Sequence, residues 1–437
     1  MASLIGALGV PSRQPSCRLY KASRSLSALE PAINRISFHT SSQRPRNATT
    51  GPVEIAALSS KDLRPKWRPK SAPAATISQV QYLSSYNWIE DPNPTIAVPG
   101  SPPRWSHPSF SPFRLPKDSG WVYIAQNAAR HPASPMEPLF RALYLTQPDF
   151  DIRGVDIVTD RNNIRKLLSF INPALGKRGV LEEFTINIER QKQTLLLSRT
   201  EKATTEFFGP NDFGGFGHEF EKAATQNQVS GSTGHWRIIL YAFEELSCVV
   251  RYETDGYVEA TGPGTPARLE RIDGYELAKA LEPLGLKSAA PPSVAPASAQ
   301  SALSIRKQGQ SVPMESILEM KTRAANRPID LQELMPQLWV SQTPQLVRAH
   351  HRNGWFQQCK PENITPALQA WEKEHQADLR RLGLLLKWIG KMVPKSGQKA
   401  VLRYDSRREK LVMTRVERPD MLPSDLYGKW VDEERRR

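Results

Sequence analysis

The chain of 437 residues carries 59 Lys/Arg against 44 Asp/Glu, a formal net charge of +15, with 39% apolar residues. That length accommodates two average domains or one large α/β domain with extensions, and the apolar share suffices for a sizeable core. No stretch approaches the roughly 18 uncharged apolar residues a spanning helix requires, so no membrane span is expected. Three scattered cysteines, Cys17, Cys248 and Cys359, exclude a disulfide framework and a cysteine zinc site.

The first fifty residues hold seven Lys/Arg and one acid, Glu30. They are also rich in Ser, and RISFHTSSQR (35–44) resembles the cleavage region of a fungal mitochondrial presequence. Import receptors and the membrane potential act on a basic amphipathic helix, which this composition favours. The reading predicts a transit peptide over 1–50 and a mitochondrial matrix location; a basic arm that binds RNA is the alternative. Setting aside the +6 of this segment leaves about +9, a balance that favours polyanionic partners.

Residues 51–120 are Pro-rich, and the expectation is an extended, irregular strap. From 121 to 420 the pattern becomes globular. EPLFRALYLTQ (137–147) and DRNNIRKLLSFI (160–171) have helical spacing, the second with Asp160 as candidate cap. FTINIERQKQTLLLSRT (184–200) reads as a hairpin, and RIILYAF with LSCVVRYETDGYV as another, joined by Glu244 and Glu245. NDFGGFG (211–217) lacks the Lys-Ser/Thr of a phosphate loop and reads as a turn into a helix carrying Glu221. GYELAKALEPLG (274–285) is a candidate helix, and KSAAPPSVAPASAQSALS (287–304) a disordered insertion. SILEMKTR (316–323) is a short strand, and PIDLQELMPQLWVSQ (328–342) a helix that Pro336 would bend or restart. TPALQAWEKEHQADLRRLGLLLKWIGKM (365–392) reads as one long helix, KAVLRYDSRREKLVMTRV (399–416) as a hairpin, and 421–437 as a tail. Strands interleaved with helices indicate an α/β (α+β) fold, a central mixed sheet flanked by helices.

Two acidic strings carry the chemistry. Residues two apart on a strand share a face, so ETD delivers Glu253 and Asp255 together, and EMK delivers Glu319 and Lys321. Hydrolysing a phosphate ester with hard cations requires several carboxylates around one point, with an ammonium beside the attacked phosphate. Nucleases of the PD-(D/E)XK type hold divalent cations in this way. Each string alone is a weak signal, since acids and lysines are common on solvated strand faces. His235-Trp236 and His350-His351 have no partner at ligand spacing and read as packing or surface residues, and Trp67, Trp105, Trp121 and Trp355 as core or strap anchors.

The series is more specific than its members. Arg161 opening a helix, Gly217 to Glu221, Glu253 with Asp255, Glu319 to Lys321, and Gln337 followed by Pro344 and an apolar strand occur in that order. In this the chain resembles the DXO-like family of RNA 5′-end decapping enzymes and exonucleases, over roughly residues 155–350. His218 departs from the apolar or aromatic residue that family carries there. The resemblance implies a PD-(D/E)XK nuclease-like core and two Mg²⁺ or Mn²⁺ ions held by Glu221, Asp255, Glu319 and the Met320 carbonyl. It further implies that Glu253 holds a metal-bound water, Lys321 and Gln337 contact the scissile phosphate, and Arg161 contacts a neighbouring RNA phosphate. The implied reaction is hydrolysis at a 5′ end of mitochondrial RNA, decapping or pyrophosphate release with 5′–3′ exonuclease action as an extension. RNA is the expected partner, with a protein of RNA processing as a second. The alternative is a non-catalytic nuclease-fold scaffold of mitochondrial gene expression. A prenyl-diphosphate enzyme is disfavoured because the chain has no Asp-Asp pair.

Overall fold

Proline placement decides where the sheet begins. In 51–120 the prolines fall at 52, 65, 69, 73 and then from 92 onward, leaving ISQVQYLSSYNWI free of them. Proline cannot donate to a ladder, but this gap can, and it forms the 13-residue strand Ile77–Ile89. The expected irregular strap is thus corrected: the segment supplies an interior strand, and Val53–Ser59 adds an edge strand. The computed structural model describes residues 52–63, 73–176, 179–209, 212, 215–259, 294–298 and 301–431. The transit-peptide reading, Trp67 and the 274–285 helix lie outside the described residues.

Among the described residues the larger sheet has twelve strands. Its centre runs Thr194–Thr200, Ile157–Asp160, Leu246–Thr254, Ser232–Phe243, Ile77–Ile89. Ile157–Asp160 is parallel to both its neighbours, while the other three-strand run through Ser232–Phe243 is antiparallel. The hairpin between Ser232–Phe243 and Leu246–Thr254 turns on Glu244 and Glu245, both at positive φ (48° and 67°), as a two-residue primed turn requires. A second sheet contains Arg104–Trp105, Gly256–Tyr257, Ile317–Ala324 and Gln345–Arg352, the last two parallel.

Each face of the larger sheet buries a core. On one, Ile164, Leu167, Trp339, Trp371, Leu382 and Leu386 bring in the helices Arg161–Ile171, Leu331–Ser341, Thr365–Glu374 and Gln376–Met392. On the other, Tyr86, Trp88, Phe140 and Leu143 meet Leu422, Leu426 and Trp430. The C-terminal segment through Trp430 is therefore packed rather than a tail: Trp430 is 2% exposed and donates to Thr194 Oγ1 at 2.8 Å.

Further expectations need correction. The 365–392 helix is two helices meeting at His375, whose ring stacks on Trp371. Part of the supposed disordered insertion, Val294–Pro296, pairs with Ser304–Gly309 at the sheet edge. Asp160 does not cap its helix with its side chain, because Arg251 claims the carboxylate, as described below. Trp121 and Trp355 are 73% and 47% exposed rather than anchors.

Candidate active site

The site forms where two sheets part. Leu246–Thr254 lies parallel to Ile157–Asp160 with Arg251 opposite Asp160. Their buried side chains form a two-point ion pair, Nε to Oδ1 at 2.6 Å and Nη2 to Oδ2 at 3.1 Å. Arg251 Nη1 also donates to the Tyr86 hydroxyl (3.2 Å) and the Pro135 carbonyl (2.8 Å), so four of its five N–H groups are bound. That lock ties the end of one strand to the closing stretch of the other, and so positions Arg161, next after Asp160, and Glu253, two residues after Arg251.

Strand geometry then departs from expectation. Leu246–Thr254 ends before Asp255, and the chain re-enters the second sheet at Gly256–Tyr257, opposite Leu318 and Ile317. Glu253 and Asp255 therefore do not share one strand face. Asp255 sits at the crossover, where its Oδ2 accepts the Met320 amide hydrogen at 2.7 Å. A Cβ at Gly256 would stand 2.9 Å from the Pro103 carbonyl, so the crossover also requires a residue without one.

Glu319, 2% exposed, is the hub. Arg161 Nη1 donates to its Oε2 at 3.2 Å, while Lys321 Nζ and Gln337 Nε2 both approach Oε1. Gln337 reaches it from the Leu331–Ser341 helix, whose first turn is capped by Asp330 accepting from Gln332 (2.9 Å). Pro336 lies inside that helix without displacing the glutamine. Burial pushes the Glu319 pKa up, but the Lys321 ammonium and the Arg161 guanidinium outweigh it and hold the carboxyl below its usual range. Burial disfavours the Lys321 charge, yet Glu319 and Asp255 more than restore it, so its pKa lies above the ordinary lysine value.

The other carboxylates remain uncompensated. Burial, then repulsion from Glu319 and Glu221 with Lys321 opposing, pushes Asp255 well above its ordinary value. Solvent reaches Glu253 while protein closes around its other sides; that desolvation, then the neighbouring Glu221, raises it to about 7. Glu221 projects from the Gly217–Ala224 helix, whose first amides, Gly217 N–H and Glu219 N–H, are bound by Asp118 at 2.9 and 3.0 Å. His218 Nδ1 lies 3.7 Å from Glu221, and that carboxylate raises the imidazole pKa.

The structure thus brings Glu221, Glu253, Asp255, Glu319, Lys321, Gln337 and Arg161 into one electrostatic neighbourhood, and Met320 joins through its amide. Among the described residues, no three His, Cys, Asp or Glu side chains stand in closed metal-ligand geometry. The donor set nonetheless fits a hard divalent ion: its oxygens are carboxylates, and Asp255 lies close enough to Glu319 and Glu221 to be repelled by both.

Sequence reasoning missed two arginines. Arg165 follows Arg161 by one helical turn, and burial together with Arg161 lowers its pKa to about 10. Like charges at i, i+4 repel on a helix, and here Glu319 offsets that repulsion by acting on both; the RNNIR spacing was the signal in the sequence. Arg199 donates to Glu201 at 2.7 Å, and its charge also lowers the Glu253 pKa.

A family model described as Domain of unknown function (DUF8563) matches residues 63–429. No curated protein matches the chain in sequence. Among solved structures the chain is similar to Scheffersomyces stipitis Rai1 in complex with (3′-NADP)+ and calcium ion, at 12% identity and TM-score 0.51, covering 82% of this chain and 97% of that one. A second structure of S. stipitis Rai1 is similar at 11% identity and TM-score 0.50, covering 82% and 95%. This likeness shows a shared fold, and with it the expected mixed sheet flanked by helices.

Proposed function

The chain belongs to the DUF8563 family, and we propose that it is a divalent-cation-dependent hydrolase acting on RNA 5′ ends. One observation carries the reading. Four carboxylates from three separate chain segments, Glu221, Glu253 with Asp255, and Glu319, gather around Lys321, Gln337 and Arg161. Their fold is that of S. stipitis Rai1, a protein whose structure holds a dinucleotide and a calcium ion.

In this reading Glu221, Asp255 and Glu319, with the Met320 carbonyl, would hold one or two Mg²⁺ or Mn²⁺ ions. When bound, such ions polarise a phosphoryl oxygen and lower the pKa of water. The chain's own groups do the rest. Glu253, which stands beside Glu221 and Arg161, would accept a hydrogen bond from the attacking water. Lys321 and Gln337, both now directed at Glu319, present donors where a scissile phosphate would lie. Arg161 and Arg165 offer two cations on one helix face for a flanking phosphate. Full-length protein incubated with Mn²⁺ and 5′-triphosphate, NAD-capped or 5′-monophosphate RNA should release pyrophosphate, the cap nucleotide or a mononucleotide from at least one. Absence of any product from all three sinks the hydrolase reading.

A second reading, an RNA-binding scaffold without turnover, draws on the pairing of Glu319 with Lys321 and Arg161 and on its hydrogen bond from Gln337. The two readings separate in a thermal melt. A hydrolase site gains stability on adding Mn²⁺, whereas a permanently self-paired site gains none.

We place the protein in the mitochondrial matrix on the acid-poor, Arg- and Ser-rich composition of residues 1–50. Fusing those residues to a fluorescent reporter should send it to mitochondria; a diffuse reporter rejects the placement.

A further inference from the structure

Three of the nine exposed large apolar side chains among the described residues share one face of a small ribbon. The strands Gly120–Tyr123 and Thr205–Phe208 pair antiparallel, with Trp121 opposite Phe207 and Tyr123 opposite Thr205. Trp121, Phe207 and Tyr123 are 73%, 55% and 39% exposed. Residues directly opposite and two apart lie on the same face, so the three rings form one surface. The Trp121 and Phe207 rings are 5.2 Å apart and tilted by 57°, and the Arg130 guanidinium lies 5.4 Å from the centre of the Tyr123 ring.

The ribbon is tied to the candidate active site at both ends. Three residues before Trp121, Asp118 binds the first amides of the helix that carries Glu221. After Tyr123, the Ile124 and Ala125 amides both donate to the Thr204 carbonyl. Gln126, next in the chain, accepts from Trp236 Nε1 at 3.0 Å, and Trp236 pairs with Glu253 across the strands. The rings therefore lie within a few nucleotides' reach of the carboxylates.

We propose that this ribbon is a stacking platform for unpaired bases of a single-stranded RNA whose 5′ end occupies the acidic site. The inference rests on the RNA reading above and assigns the binding of the strand beyond its end. Size favours bases over a protein. Four-residue strands span roughly 13 Å, enough for two or three bases but far below the roughly 800 Å² per partner of a stable protein interface. Composition agrees, since exposed aromatic rings bind any base through its π-face, and the roughly +9 left outside residues 1–50 suits a polyanion. A cross-strand ring pair can also stabilise its own ribbon, and the test separates that role from base binding.

Binding of the full-length chain to 12-nucleotide oligouridylate and to an abasic strand of equal length is measured by fluorescence anisotropy in EDTA, which prevents cleavage. The Trp121→Ala/Phe207→Ala variant should lose between roughly 5- and 150-fold in affinity for oligouridylate, the range one stacked base commands. Its affinity for the abasic strand should match wild type, and Trp121→Phe should recover most of the loss. Equal affinity of variant and wild type for oligouridylate overturns the platform, as does equal loss on both strands, which marks a structural role. A wild-type chain that binds neither strand, or a wild-type dimer lost in the variant, also overturns it. Ring-dependent binding without Mn²⁺-dependent hydrolysis rejects the hydrolase and retains the platform. Hydrolysis with ring-independent binding does the reverse.

Discussion

Asp255 and Met320 are joined by a single hydrogen bond, amide to carboxylate at 2.7 Å, across the gap where the chain passes from one sheet to the other. The bond ties two segments 65 positions apart and holds Asp255 beside Glu319 despite their repulsion. Burial, then repulsion from Glu319, outweighs what Lys321 and this amide offer, which is why Asp255 stays well above its ordinary pKa. The crossover thus stores an electrostatic cost that a cation would relieve.

Glu319→Gln should abolish hydrolysis and also lower stability. The neutral side chain leaves Arg161 and Lys321 without the carboxylate that both now bind, a loss of about 2 kcal/mol. Sequence alone suggested a carboxylate that serves the metal more than it serves stability; its three partners give it a larger structural share. Urea melts and a single-turnover assay with Mn²⁺ check both halves. A variant as stable as wild type contradicts the ion-pair reading.

Arg161→Ala and Arg165→Ala should diverge. Both weaken RNA binding and reduce its salt dependence by about one unit of slope, as loss of one phosphate contact does. Arg161→Ala should also destabilise the fold, since Glu319 loses a donor. Arg165→Ala should leave stability unchanged or raise it, because it removes like-charge repulsion along the helix. Binding titrations at several salt concentrations, paired with melts, test the contrast.

Where a residue's neighbours in sequence are also its neighbours in space, the sequence was legible. Glu319 and Lys321 meet because they are two apart on one strand, and Arg161 opens its helix where the apolar spacing begins. The same period-two rule failed for Glu253 and Asp255, since the strand ends at Thr254 and pairing with a distant segment redirects the next residue. Asp160 failed as a cap because Arg251, 91 positions away, outcompetes local amides for its carboxylate. Ile77–Ile89 was hidden by the prolines on either side, although its own thirteen residues contain none. The break at His375 has neither Gly nor Pro to announce it; only stacking on Trp371 in three dimensions marks it.

Stability should fall on acidification below pH 6.5, and His235 should be one cause. The ring is 1% exposed, its Nδ1 lies 2.8 Å from Asn87 Oδ1, and its Nε2 has no partner. Asn87 Oδ1 already accepts from the Ser101 amide, so the imidazole Nδ1 carries the hydrogen. Burial, helped by Arg237, holds the pKa well below 6.5. The unfolded chain then takes up a proton that the folded one refuses. His235 thus contributes full stability above pH 6.5, and that contribution shrinks by up to about 1.4 kcal/mol per unit as pH falls towards the folded pKa. His235→Asn keeps a donor to Asn87 but cannot titrate. The difference in melting temperature between pH 7.5 and 5.5 should be smaller in the variant; an identical difference removes His235 from the account.

The Gly234 backbone lies close beside Gln126 and Glu253. An added Cβ would stand 2.6 Å from Gln126 Oε1 and 3.1 Å from Glu253 Oε1. Both contacts are too short, and Gln126 is held by Thr233 and Trp236, so it cannot retreat without losing those bonds. Gly234→Ala should therefore cost about 1–3 kcal/mol, the usual range for overpacking. Displacing the Glu253 carboxylate should also reduce turnover at least tenfold, since misplacement by an ångström costs about that or more. Gln126→Ala in the Gly234→Ala background makes room for the methyl group on one side. It should restore part of the stability, whereas turnover should recover less because Glu253 still faces the new methyl at 3.1 Å. Comparing melts and single-turnover rates of the single and double variants decides whether this strand positions Glu253 for the reaction or merely packs beside it.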